Sequence, residues 1–189
     1  QRADKIAYFV DGSGFEHNVK LEYGWIKKGK EKIVRTNSGR KKLNVNGAYN
    51  AQTQEVVALY TEGSVNSTTN MALVNKIVSL HPEKRVFNLF LDNAPYNKSF
   101  AFLYHVKELE KTKGIKIRLR FLPIYSPNLN LIEKLWKKAK RDLLANKYYT
   151  NFLEFKIAIQ NYFENILKRK KKKAELRKQI GLKFQIINV

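Results

Sequence analysis

Residues 86–99 read VFNLFLDNAPYNKS: an apolar run, Val86 to Leu91, ends on an aspartate and breaks at once into Asn93-Ala94-Pro95. A short apolar run bounded by turn formers reads as a buried strand. A carboxylate at the end of such a strand is costly to desolvate unless something cationic meets it there. The same pattern opens the chain, where IAYFV (6–10) leads into Asp11 and then Gly12-Ser13-Gly14. Open α/β sheets gather their ligand sites at the carboxyl ends of strands. If these two strands are neighbours, Asp11 and Asp92 lie close together, and one pKa rises above the ordinary value of about 3.9. A bound Mg2+ or Mn2+ removes that conflict, because hard cations prefer oxygen ligands. For either aspartate alone, the plain alternative is a residue that opens a turn.

A third acid, Glu133, stands near a proline-punctuated helix start in FLPIYSPNLNLIEKLW (121–136). Asn130 and Glu133 fit a capping box, and Glu133 precedes Lys137 by one helical turn, a pair worth about 0.2–0.5 kcal/mol. Lys137, Lys140 and Arg141 share the stripe of Glu133, while Ile132, Leu135, Trp136, Ala139 and Leu143 form the apolar stripe. A carboxylate flanked by cations at a sheet edge suits a metal ion, with the cations holding DNA phosphates.

Composition agrees with a polyanionic partner. The 189 residues carry 37 Lys and Arg against 16 Asp and Glu, a formal charge of +21. Each phosphate neutralised by such a surface releases counterions, although a generally basic surface would also give this balance. Hydrophobic residues make up 43%, enough for a sizeable core. The absence of cysteine excludes disulfides and thiolate metal sites and fits a reducing compartment. No apolar run approaches the roughly 18–20 residues that span a bilayer. His17, His81 and His105 lack metal-ligand spacing and read as surface or packing residues. Gly12-Ser13-Gly14 is too short for a phosphate-binding loop, and Ser13 lacks a nucleophile elbow. The start at Gln1 suggests a domain cut from something longer.

Along the chain, strands are expected over 6–10, 23–26, 32–36, 43–50, 55–61, 86–91 and 115–121. Helices are expected over 67–80 (capped by Ser67 or Thr68), 98–112, about 129–146, and from a Thr150 cap to about Leu167. Lys168 to Lys173 is an unbroken basic run, read either as a DNA contact through Lys168, Arg169 and Lys170 or as a solvated linker. FQIINV (184–189) suggests a short final strand. This order describes an α/β domain over 1–167, a mixed sheet with helices packed on it, followed by a basic C-terminal extension over 168–189.

At LDNAPYNKS (91–99) and FLPIYSPNLNLIEKLW (121–136) the sequence resembles the DDE transposases of the mariner superfamily, in particular their bacterial insertion-sequence branch. Those enzymes commonly show a strand ending in LDNA and, after a second strand, LPxYSPxLNPIExxW, with similar spacing between the two acids. FVDGSGF, YGWIKKGK and Asn46-Gly47-Ala48 are similar to the family's opening elements. Leu131 stands where proline is usual, Asn97 where histidine is frequent, and Ser13 and Gly14 replace bulkier residues. The resemblance implies a ribonuclease H-like fold with a mixed five-stranded sheet flanked by helices. It implies Asp11, Asp92 and Glu133 as a catalytic triad holding two Mg2+ or Mn2+ ions, with Asp11 between them. Asn93 would orient Asp92 or a bound water, and Tyr125 and Ser126 would shape the loop before Glu133. The implied activity is DNA cleavage at transposon ends followed by strand transfer. A homodimer would form the active complex, with an N-terminal helix-turn-helix region beyond this chain. The alternatives are an inactive remnant that binds DNA, or a ribonuclease H-like nuclease acting on RNA–DNA hybrids.

Overall fold

The structure is a computed structural model that describes residues 4–22, 27–30, 33–37, 40–123 and 129–180. Its strands are β1 (Lys5–Glu16), β2 (Lys42–Asn50), β3 (Glu55–Thr61), β4 (Val86–Leu91) and β5 (Lys116–Phe121). They form one sheet in the order β3-β2-β1-β4-β5. β1 pairs antiparallel with β2 and parallel with β4, so the sheet is mixed. The α/β class and the five-stranded mixed sheet are those the sequence and its resemblance imply.

β1 corrects one expectation: Asp11 is inside the strand, not at its end. Gly12 through Glu16 stay extended because they pair antiparallel with Asn46 through Lys42 of β2. The glycine that read as a turn former is needed for close approach instead, since a Cβ at Gly12 would lie 2.9 Å from Val65 Cγ2. The expected strand at 32–36 is also corrected. Among the described residues, 33–36 pair with no strand, and Ile33 is 89% exposed, without the burial that would favour a ladder there, while Lys32 lies outside the described residues. The segments 23–26 and 184–189 lie outside the described residues.

The helices are α1 (Ser67–Leu80), α2 (Phe100–Lys113), α3 (Leu131–Leu144), α4 (Phe152–Asn161) and α5 (Lys170–Gln179). A short 3-10 turn at Pro95–Lys98 precedes α2, and α4 passes into one π turn at Tyr162–Ile166. The cap of α1 is Asn66, whose side chain accepts from the Thr69 amide while Thr69 Oγ1 accepts from the Asn66 amide. The cap of α4 is Asn151, not Thr150. α2 starts at the Ser99 cap and ends at Gly114, whose φ of +60° is the left-handed conformation glycine adopts freely.

Side-chain alternation along the strands divides the core into two layers. Ile6, Tyr8 and Val10 join Leu73, Val74 and Ile77 of α1 and Phe102 and Val106 of α2. On the opposite face Phe9 and Phe15 join Ile132, Leu135, Trp136 and Ala139 of α3 with Phe155 and Ile159 of α4. Leu176 of α5 and the neighbouring Ile180 enter this second layer, so the basic run becomes helix from Lys170 and is anchored by apolar contacts. Lys138 is buried at 5% exposure and ties α3 to α5 by pairing with Asp142 and Glu175.

Candidate active site

The register of the sheet places the acids. β1 and β4 pair in parallel from Lys5 with Val86 to Phe9 with Phe90. The same offset carried two residues further sets position 92 level with position 11, on strands that neighbour at about 4.7–4.9 Å. Asp11 therefore sits at a fork, where β1 leaves β4 but still pairs with β2 opposite Gly47. Asp92 follows the last residue of β4. Glu133 lies in the first turn of α3, where the positive end of the helix dipole favours a carboxylate.

α3 is held over Asp11 by Trp136. Its indole covers Gly47, and a Cβ there would lie only 2.7 Å from Trp136 Cη2. With that space open, Trp136 Nε1 donates to Asp11 Oδ2 at 3.1 Å. Burial raises the Asp11 pKa most, and the negative charges of Asp92 and Glu133 raise it further. Hydrogen bonds from the Gly12 amide and the Trp136 indole oppose the rise, and the net result is a carboxyl pushed up to about 7. Asp11 thus feels both other acids: the structure brings the three into one electrostatic neighbourhood. Tyr96, on the 3-10 turn, is pushed up to about 12 by burial and then by the charges of Asp92 and Asp11.

Asp92 is pinned on one side. Its Oδ1 accepts from the Ala94 amide at 3.2 Å and from Asn97 Nδ2 at 2.7 Å, while Oδ2 accepts from no described residue. Asn93, singled out by sequence, donates instead to the Leu122 carbonyl and ties the end of β4 to the chain beyond β5. The amide touching Asp92 belongs to Asn97, which sequence reasoning noted only as a departure from a family pattern. The capping box at Asn130 does not form. Only the backbone bond from the Glu133 amide to the Asn130 carbonyl is made, at 3.0 Å, and Asn130 Oδ1 is buried without a partner among the described residues. Tyr125 and Ser126 lie outside the described residues.

The cationic residues fall into two groups. Lys137 and Arg141 are exposed on α3, and the Lys140 ammonium lies 5.7 Å from the centroid of the Phe15 ring. Lys168, Arg169 and Lys170 are exposed where α5 begins, and Lys168 lines a hollow beside β3 at the sheet edge. The histidines are engaged away from the acids. His17 packs on Phe152 and Phe155, His81 meets Tyr8 and Glu55, and His105 meets Asn75. Among the described residues, no three acidic or histidine side chains stand close enough, as placed, to share one ion. The donor chemistry nevertheless suits Mg2+, which commonly takes one or two carboxylates and completes its shell with water and substrate phosphate.

Residues 7–156 match the sequence model of a family described as DDE superfamily endonuclease. The chain is 22% identical over 164 residues to the insertion element IS630 uncharacterized 39 kDa protein of Shigella sonnei, covering 87% of this chain and 46% of that protein. It therefore spans about half the length of the curated relative it matches. Among solved structures it is similar to the Mos1 transposase paired-end complex with left transposon end, with a TM-score of 0.61 and 16% identity over 86% of this chain and 48% of that one. It is also similar to the Mos1 mariner paired-end complex with Mn, with a TM-score of 0.59 and 16% identity over 96% and 57% of the two chains. At such identities the likeness shows the fold, which is ribonuclease H-like as anticipated.

Proposed function

The chain belongs to the DDE superfamily endonucleases, and from that membership we propose that it is the catalytic domain of a bacterial insertion-sequence transposase, cutting DNA at transposon ends and joining the freed ends to target DNA. The observation that carries this reading is the meeting of charge at Asp11. A partly buried carboxyl that feels two more acids is better accommodated with a bound cation than bare and ionised, and the net charge of +21 suits a phosphodiester substrate.

Asp11, Asp92 and Glu133 are the residues that would hold two Mg2+ or Mn2+ ions. The solved Mos1 complex with Mn supports this choice of metal. Bound there, the ions would supply Lewis-acid activation of the phosphodiester and of the attacking oxygen. The chain's own residues do the positioning. Trp136 fixes one oxygen of Asp11, Asn97 fixes one oxygen of Asp92, and Glu133 rides on the first turn of α3. Lys137, Lys140 and Arg141 continue the Glu133 stripe and would hold backbone phosphates on either side of the reacting one. Lys168, Arg169 and Lys170 would bind DNA further along. Water first breaks the P–O bond at the transposon end, and the released 3′-hydroxyl then attacks a target phosphate, expelling a second 3′-oxygen. A homodimer would join two ends, with a helix-turn-helix region outside this chain reading their sequence. The setting would be the cytoplasm of a bacterium, at the nucleoid. Among the described residues no helix is long and apolar enough to cross a membrane.

The test is nicking of a supercoiled plasmid that carries the element's ends, with Mg2+ or with EDTA. Asp11→Ala, Asp92→Ala and Glu133→Ala should each abolish cleavage while far-ultraviolet circular dichroism stays that of the parent. A variant that still cuts at the parent rate would remove that residue from the triad, and cleavage in EDTA would refute the metal.

A further inference from the structure

A line of buried amides leads away from Asp92 and continues beyond Asn97, whose bond to that acid is the only link of it used above. Asn97 donates to Asp92 Oδ1, Asn70 Nδ2 donates to Asn97 Oδ1, and Asn46 Nδ2 donates to Asn70 Oδ1 at 2.6 Å. The three asparagines are 2%, 2% and 1% exposed. They come from three separate elements: the 3-10 turn after β4, the first turn of α1, and the middle of β2. Asn46 Oδ1, at the far end, is buried with no partner among the described residues.

The polarity of this line is forced. An ionised carboxylate only accepts, so Asn97 must turn its NH2 toward Asp92 and its oxygen toward Asn70. The same logic passes to Asn70 and then to Asn46, whose oxygen is left over. Turning any one amide around would set two donors or two acceptors face to face. An unmade buried acceptor costs stability, so a sequence selected for packing alone would place an apolar residue at 46. The line ends instead on the one oxygen of Asp92 that faces the protein, and it leaves Oδ2 free of described partners.

We propose that Asn46, Asn70 and Asn97 form a positioning relay that orients Asp92, holding Oδ1 against the scaffold so that Oδ2 is presented to the metal ion. The relay rests on the reading of Asp92 as a metal ligand, and it adds that α1 and β2, which carry no acid of the triad, set the geometry of the site.

The test compares Asn70→Leu, Asn97→Leu, Asn97→His and Asp92→Asn. Each is read by Mn2+ affinity from electron paramagnetic resonance of the free ion, by thermal melting, and by nicking with kcat separated from KM for DNA. Asn70→Leu touches no acid, yet it should weaken Mn2+ binding about 10-fold or more and lower kcat while KM holds. Asn97→Leu should do the same. Asn97→His should stay near the parent, because a neutral imidazole donates from one nitrogen and accepts at the other, reproducing the amide's polarity. If Asp92→Asn leaves Mn2+ affinity unchanged, the metal-ligand reading of Asp92 falls and the relay falls with it. If Asp92→Asn weakens binding while both leucine variants bind Mn2+ like the parent, the relay alone is overturned, even where those variants melt earlier. Should Asn97→Leu fail to fold, Asn70→Leu and Asn97→His decide the question.

Discussion

Asp11→Asn should make the metal-free protein more stable while destroying its activity. The folded carboxyl keeps its proton up to about 7, whereas the unfolded chain releases it near the ordinary value of 3.8. Between those values the folded state binds more protons than the unfolded one, so stability falls as pH rises through this window. Carried across it, the ionised carboxyl costs the fold about 4 kcal/mol above pH 7 if solvent gives no relief. Asp11 is partly open to solvent, which trims the expected gain from asparagine to about 2–4 kcal/mol. In a domain of this size that is roughly 5–15 °C in Tm. Asparagine keeps an oxygen for the Trp136 indole, so the hydrogen bond is not the quantity that changes. The assay is thermal melting in EDTA at pH 4, 6 and 8. The gain should be near zero at the lowest pH and largest at the highest. An Asp11→Asn protein no more stable than its parent at pH 8, or equally stabilised at pH 4, would refute the reasoning. The same variant should show no Mg2+-dependent nicking.

Gly47→Ala drives a methyl to within 2.7 Å of Trp136, so α3 must shift and the Trp136–Asp11 bond must lengthen. A loss of about 1–3 kcal/mol in urea melts is expected, and an unchanged midpoint would contradict the packing described. Glu175 is held down to about 2 by Lys138 and Lys172, so its contribution is complete above the ordinary 4.5 and is lost as pH falls toward 2. Glu175→Gln should therefore be less stable than the parent at pH 7, with the gap narrowing at pH 3; a gap independent of pH would count against the pairing. Replacing Lys168, Arg169 and Lys170 by glutamine should flatten the salt dependence of DNA binding, by about 0.9 in the log–log slope for each phosphate contact removed. An unchanged slope would show that these side chains do not touch DNA.

Much of the frame was readable from period and punctuation. Val86–Leu91 is a strand with the bounds its apolar run suggested, and Gly114 ends α2 as glycine commonly does. The apolar stripe Ile132, Leu135, Trp136, Ala139 and Leu143 is buried as its spacing implied. What escaped reading depends on partners distant in sequence. Gly12-Ser13-Gly14 has turn composition, yet it is strand because β2 lies beside it, and Gly12 is there for Val65. A run of six cations looks like a solvated linker until Leu176 and Ile180 are seen four residues apart, anchoring the helix it begins. Nothing local to Lys138 reveals its burial, because its partner Glu175 waits on α5. Asn46, Asn70 and Asn97 share no spacing, and only the sheet and the first turn of α1 bring them into line. Asp11 and Asp92 were visible because each ends or interrupts an apolar run, a pattern that needs no tertiary information, whereas Glu133 stood out at a proline-punctuated helix start and through the family resemblance. Their common neighbourhood required the β1–β4 register.

One diffraction experiment bears most directly on the site: crystals of the chain with a DNA end and Mn2+, measured at the manganese absorption edge. Anomalous density in contact with carboxylate oxygens of both Asp11 and Asp92, with Glu133 alongside, is the expected result. Manganese bound elsewhere, with Asp11 still holding a proton and no metal, would contradict a metal-dependent DNA-cutting site at these three acids.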